Sequence, residues 1–139
     1  MSTVGAAYAP ELQELVTSGV HPIVVTDAKR RIQWVNDAFV NCTGYSLQDC
    51  QGRNPGEFLQ CPQTDPQAVA SLRASLDAGR AVRSTLLNRS RDGSFYWVDL
   101  DIHPFGPPGE ITGFVAVQIN RLTKDVQIER VTRLLENLA

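Results

Sequence analysis

The sequence predicts an α+β fold: one antiparallel sheet of five strands with helices on one face, and a further helix at each end of the chain. Three observations carry this. Apolar patterns run in the order two short strands, a helical middle and three longer strands. Consecutive elements usually pair or neighbour one another, so that order builds one antiparallel sheet with its helices gathered on one side. The 139 residues, 42% of them apolar, suit one compact domain with short appendages.

Residues 10–18 begin with Pro10 at a first helical position and carry Leu12, Leu15 and Val16 as one apolar stripe. Gly19 ends the helix, so residues 1–19 read as an N-terminal helical cap. Residues 21–27 and 32–36 are β-rich and flank an Asp-Ala-Lys-Arg-Arg turn, which makes a hairpin. Asn36 is a good N-cap for a helix over 37–43 that Gly44 stops. Ser46 caps a shorter one over 47–51. Asn54-Pro-Gly-Glu reads as turn chemistry. Asp65 and Pro66 are N-cap and first residue of a helix to Ala78, with Val69, Leu72 and Leu76 on one face.

Residues 81–90, 94–104 and 111–120 are the longer strands, the first two joined at Asp92-Gly93. The body of the domain is therefore residues 20–121, and 122–139 form a C-terminal linker helix. In that helix Ile128, Val131, Leu135 and Leu138 step by three, four and three residues. The spacing fits a coiled-coil seam or a helix docked on the sheet.

Composition excludes several functions. Formal charge is 13 − 15 = −2, without the clustered Lys and Arg of a nucleic-acid footprint or a polybasic membrane anchor. No apolar run approaches the ~20 residues of a membrane helix, and the first residues have no signal-peptide pattern. Cys42, Cys50 and Cys61 are odd in number and lack metal-type spacing, which points to a reducing cytoplasm. Cys42 and Cys50 read as small buried groups; Cys61 follows a loop-like stretch and its role is open. Asp99 and Asp101, with Glu110 or Asp92, read as solvated carboxylates rather than a cation site. His21 and His103 stand on different strands without a haem signature or a nucleophile motif, so no enzymatic activity is expected.

Strand alternation places Tyr96, Val98, Leu100 and Ile102 on the core face of the middle long strand. On the last strand both faces are apolar, Phe114, Ala116 and Gln118 against Val115, Val117 and Ile119, and periodicity does not choose between them. If Asn88 and Gln118 face the core, two carboxamides point into apolar surroundings. Each then bonds neighbouring backbone, the other amide, a water or a ligand, since an unpartnered buried amide costs a few kcal/mol. A carboxamide both donates and accepts, which suits a planar ligand whose edge alternates C=O and N–H.

The phrases Asn36-Asp-Ala-Phe-Val-Asn-Cys-Thr-Gly-Tyr-Ser, Gly52-Arg-Asn, Phe58-Leu-Gln and Gln63-Thr-Asp-Pro resemble the first half of a LOV domain, the flavin-binding branch of the PAS domains. Leu87-Asn-Arg-Ser-Arg-Asp-Gly-Ser-Phe-Tyr-Trp and Phe114-Val-Ala-Val-Gln-Ile resemble the second half. The resemblance implies a sheet that cups a flavin, FMN or FAD, beneath the middle helices. By position it implies Asn54 at the ribityl chain, Gln60 at the sugar or ring edge and Arg73 at the phosphate. It puts Asn88 at the pyrimidine edge and Gln118 near N5 of the ring. Val24 and Thr26 pack near the ring, and Val98, Leu100 and Phe114 complete the pocket.

Three departures stand out. The family places a cysteine and an arginine between Gly-Arg-Asn and Phe-Leu-Gln, where this chain has Pro55-Gly56-Glu57, one residue longer. The reactive thiol is thus missing, so the light-driven cysteinyl adduct is not expected. Glu57 replaces a phosphate-pairing arginine, and Val98 a second pyrimidine-facing asparagine.

The resemblance implies a sensory input domain. Its flavin would report redox or blue-light state without an adduct, through the terminal helices, to a homodimer partner or a downstream output domain. The alternative is a PAS domain without flavin that binds another small molecule or serves as a dimerisation module.

Overall fold

The computed structural model describes residues 21–119. The expected terminal helices, with their stripes at Leu12/Leu15/Val16 and Ile128/Val131/Leu135/Leu138, lie outside the described residues. Five strands form one sheet: β1 (Ile23–Asp27), β2 (Ile32–Val35), β3 (Val82–Arg89), β4 (Phe95–Phe105) and β5 (Gly113–Ile119). All pairings are antiparallel and the spatial order is β2-β1-β5-β4-β3. Four helices separate the two halves of the sheet in sequence: α1 (Asp37–Thr43), α2 (Leu47–Cys50), α3 (Pro55–Leu59) and α4 (Pro66–Asp77).

Local chemistry accounts for the helix ends. Asn36 Oδ1 accepts from Phe39 N at 2.9 Å, as an N-cap does. Gly44 closes α1 at φ 79°, a left-handed conformation that glycine adopts without a Cβ clash. Its N–H donates to Val40 O at 2.8 Å. Ser46 and Asp49 form a capping box around α2. Asp65 accepts from Gln67 N and Pro66 takes the first helical position of α4.

One expectation is corrected. Residues 54–57 are not a plain turn: Asn54 caps the single-turn helix α3, with Pro55 at its first position. A proline lacks the N–H that a first turn leaves unpaired, so Asn-Pro serves as a helix start as readily as a turn.

The sheet separates two environments. Toward the helices, Val24, Ile32 and Val35 pack with Phe39, Cys50, Phe58 and Leu59, all at most 7% exposed. Further along the same face, Leu72 and Leu76 of α4 cover Leu86, Val98, Ile102 and Phe114. On the opposite face Ile23, Val25, Val115 and Val117 form a second buried layer with Trp34, Phe105 and Ile119. The ambiguous alternation of β5 is thereby explained, because both of its faces are buried. The core face expected for β4 is correct: Val98 and Ile102 are buried, while Phe95 and Trp97 on the other side are exposed.

Asn36 does more than cap α1. Its Oδ1 also accepts from Ile23 N at 2.9 Å, and its Nδ2 donates to His21 O at 2.8 Å. One side chain thus ties the entry of β1 to the start of α1. Asn36→Ala leaves two part-buried N–H groups and one carbonyl without their partner. The expected cost is about 2–3 kcal/mol, more than the ~1 kcal/mol of a typical cap. Urea unfolding checks this; a loss under 1 kcal/mol would mean that water replaces the amide.

Candidate functional site

A cavity, open to solvent on one side, lies between the helix-facing side of the sheet and helices α3 and α4. Its walls are mainly apolar: Val24, Leu59, Leu72, Leu76, Leu86, Leu100, Ile102, Phe114 and Ala116. The polar groups that reach it are Thr26, Arg30, Asn54, Gln60, Asn88 and Gln118.

Strand register sets the two amides on either side of β4, four residues apart along it. Gln118 sits opposite Leu100 across β4–β5, and Asn88 opposite Tyr96 across β3–β4. Both side chains are almost fully buried, at 1% and 3% exposure. They do not bond each other. Among the described residues, the side-chain hydrogen bond of Gln118 is a long one, from Cys42 Sγ of α1 to its Oε1 at 3.9 Å. Asn88 lies beside the Tyr96 phenol, whose oxygen is buried and closes no hydrogen bond of ordinary geometry. Burial foremost, then the neighbouring Cys42, pushes the Tyr96 pKa well above its usual value. Apolar walls that enclose two buried amides suit a planar, partly polar ligand.

The floor is set by the segment from Asn54 to Thr64. Asn54 Oδ1 is engaged as the α3 cap, accepting from Gly56 N at 3.0 Å. Gln60 folds back over Gly56: a Cβ there would stand 2.9 Å from Gln60 Nε2, so glycine makes room for this amide. Gln60 also forms an isolated backbone bridge with Asn88. Thr64 Oγ1 donates to Leu87 O at 2.6 Å and accepts from Cys61 N at 3.0 Å, which fastens the α3–α4 loop to β3. Cys61 belongs to that joint, and none of the three cysteines lines the cavity.

Of the residues singled out from sequence, Val24, Thr26, Asn54, Gln60, Asn88, Leu100, Phe114 and Gln118 meet at this cavity. Two do not. Arg73 is exposed on α4, because Leu72 and Leu76 take the inner face and a step of one residue turns ~100° away. Val98 is 1% exposed and lies in the hydrophobic cluster under α4, behind the cavity wall. Glu57 is exposed as well, 3.5 Å from Arg53 Nε, so its carboxylate is turned from the cavity to that guanidinium. Sequence reasoning missed Arg30, the cation that does line the cavity. The one signal for it was a turn that lacks a glycine.

The acidic pair on β4 is accounted for by neighbours. Asp99 accepts from Thr85 Oγ1 at 2.5 Å, and Asp101 meets Arg83 at 3.2 Å and His103 at 2.9 Å. Among the described residues no cluster of His, Cys, Asp and Glu is arranged to hold a metal ion. No helix among them is long and apolar enough to cross a membrane.

Comparison with known proteins adds the following. Residues 20–121 match a family described as PAS domain. The chain is 40% identical over 103 residues to a blue-light-activated histidine kinase of Rhizobium johnstonii, which covers 71% of this chain and 30% of the kinase. It is 37% identical over 97 residues to the nitrogen fixation regulatory protein of Klebsiella pneumoniae, covering 69% of this chain and 19% of that protein. The chain therefore spans less than a third of the length of these relatives. Among solved structures, the dark structure of the blue-light photoreceptor Aureochrome1 LOV superposes with a TM-score of 0.74 at 29% identity, covering 94% of this chain and 96% of the other.

The orphaned phenol yields a test. Tyr96→Phe removes a hydroxyl that is buried without a partner, so stability is expected to stay level or rise by about 0.5–1 kcal/mol. Chemical denaturation measures it, and a loss beyond ~1.5 kcal/mol would reveal a bond to Asn88 or a bound water.

Proposed function

This chain belongs to the PAS domain family, and from that premise we propose that it is a sensory input module whose cavity holds a flavin. The observation that carries the proposal is the pair of buried amides, Asn88 from β3 and Gln118 from β5, at one largely apolar cavity. Blue-light-activated and nitrogen-regulatory relatives support a role in sensing. Their remaining domains are the kind of output such a module serves.

The residues fit a flavin. Asn88 offers a donor and an acceptor to the pyrimidine edge, and Gln118 faces the position of N5. Val24, Thr26, Leu100 and Phe114, which line the cavity, would pack the ring. Asn54 and Gln60, which also line the cavity, would hold the ribityl chain. A bound flavin supplies a ring nitrogen that accepts a hydrogen bond in one redox state and donates one in the other.

Gln118 answers that change by rotating its amide, presenting Oε1 in place of Nε2 or the reverse. The same rotation exchanges the group that faces Cys42 Sγ, so the contact to α1 changes with it. β5 lies between β1 and β4, and a shift in β5 reaches both. The change leaves through residues 1–19 and 122–139 toward a homodimer partner or an output domain. With no thiol on the cavity wall, the response is redox or photoreduction without a cysteinyl adduct.

The purified chain is expected to be yellow or to turn yellow with added flavin. A colourless protein that also rejects added flavin would end this proposal. Asn88→Ala should weaken flavin binding roughly tenfold, as loss of a buried hydrogen bond to the ligand requires. Gln118→Leu should keep the flavin and lose the redox-linked change in proteolysis or hydrogen exchange. Illumination should produce no blue-band bleaching that recovers in the dark without oxidant.

A further inference from the structure

We infer that Cys42 is the positioning residue for the Gln118 amide: its thiol holds Oε1 and thereby turns Nε2 toward the ligand. The inference deepens the flavin reading above and rests on it. An amide can face a ring with either end, and the two ends ask opposite things of the ring nitrogen. The backbone of Gln118 is fixed, since its N–H donates to Pro22 O at 2.9 Å. What remains to be set is the rotation of a side chain that is 1% exposed.

Cys42 Sγ stands 3.9 Å from Gln118 Oε1. In this orientation the thiol donates and the carbonyl accepts. With the amide reversed, Nε2 would have to donate to sulfur, a weak acceptor. The contact is a modest one, but it acts on a buried amide, where little water competes for either end.

The thiol is itself held in place. Cys42 lies in the last turn of α1, next to the buried Thr43. Thr43 Oγ1 donates to Phe39 O at 2.8 Å and accepts from Tyr45 N at 3.1 Å. Arg91 N donates to Thr43 O at 2.8 Å, which pins this turn to the β3–β4 hairpin. Asn36 fastens the other end of the helix. α1 therefore brings Cys42 to Gln118 from a support secured at both ends. The Tyr96 phenol also neighbours Cys42, and burial keeps it neutral, so it brings no charge to bear on the amide.

Nε2 toward the ring suits a nitrogen that accepts, as in oxidised flavin. Reduction brings two electrons from the reductant and a proton from solvent, after which the same nitrogen donates and asks for Oε1. Cys42 therefore favours the oxidised ring and resists the rotation that follows reduction. A side chain outside the cavity thus lowers the potential at which the sensor responds.

Two measurements on the 139-residue chain test this. Without flavin, the S–H stretching band of Cys42 is isolated as the infrared difference between wild type and Cys42→Ala. It is expected in the hydrogen-bonded range, and in the free range when the same difference is taken in a Gln118→Leu background. With flavin bound, Cys42→Ala is expected to shift the oxidised–reduced equilibrium about fivefold toward the reduced form, ~20 mV upward for a two-electron couple. Cys42→Ser keeps a donor and should restore most of the wild-type potential, while Cys61→Ser should leave the potential unmoved. A band that stays in place after Gln118→Leu overturns the inference. So does a potential that Cys42→Ala leaves unchanged or lowers, or one that Cys42→Ser and Cys42→Ala shift alike. In each case the bound flavin leaves the flavin reading standing. If the wild-type chain takes no flavin, that reading falls and this one with it.

Discussion

Everything at the cavity depends on the last strand being inserted between two earlier ones. β5 pairs with β1 on one side and β4 on the other, so neither half of the sheet is continuous until the end of the domain is in place. The side-chain period of a strand is two, and a slip of one residue would exchange Gln118 for Val117 at the cavity. That exchange is resisted from both faces. Val115 and Val117 are fully buried in the opposite layer, and a slip would put the Gln118 amide among them. The position of the Gln118 amide is thus fixed by the packing of its apolar neighbours.

Local ties then carry that order outward. Asn36 binds the start of β1 to α1, and Thr64 binds the α3–α4 loop to β3. Arg91, in the β3–β4 turn, donates its N–H to Thr43 O at 2.8 Å and its guanidinium to Asp49 at 2.7 Å. The two ends of the helical middle are therefore each fastened to a strand that contributes an amide to the cavity or pairs with one that does.

Much of this was legible in the residues. Caps at Asn36, Ser46 and Asp65 are short-range chemistry and mark helix starts directly. The alternation through Tyr96, Val98, Leu100 and Ile102 gave the inner face of β4, because its other face carries charge and reaches solvent. β5 could not be read in the same way, since a strand buried on both faces shows no alternation. The helix α3 was hidden because Asn-Pro-Gly serves a turn and a helix start equally well. Arg73 is a different case: the stripe of Leu72 and Leu76 already turned it outward, and the helical period contained that information. Arg30 was not legible, because the aim of a turn side chain depends on a φ angle that residue type alone does not set.

The outer strands have a consequence of their own. Among the described residues β2 and β3 border the sheet, and their outer peptide groups are paired only in part, Ile32 with Gly52 and Arg53 and Asn88 with Gln60; open edge groups can recruit further chains into fibres. β2 is only four residues long, and β3 carries Arg83 and Arg89 along its eight. Brevity at one border and positive charge at the other discourage lateral growth of the sheet.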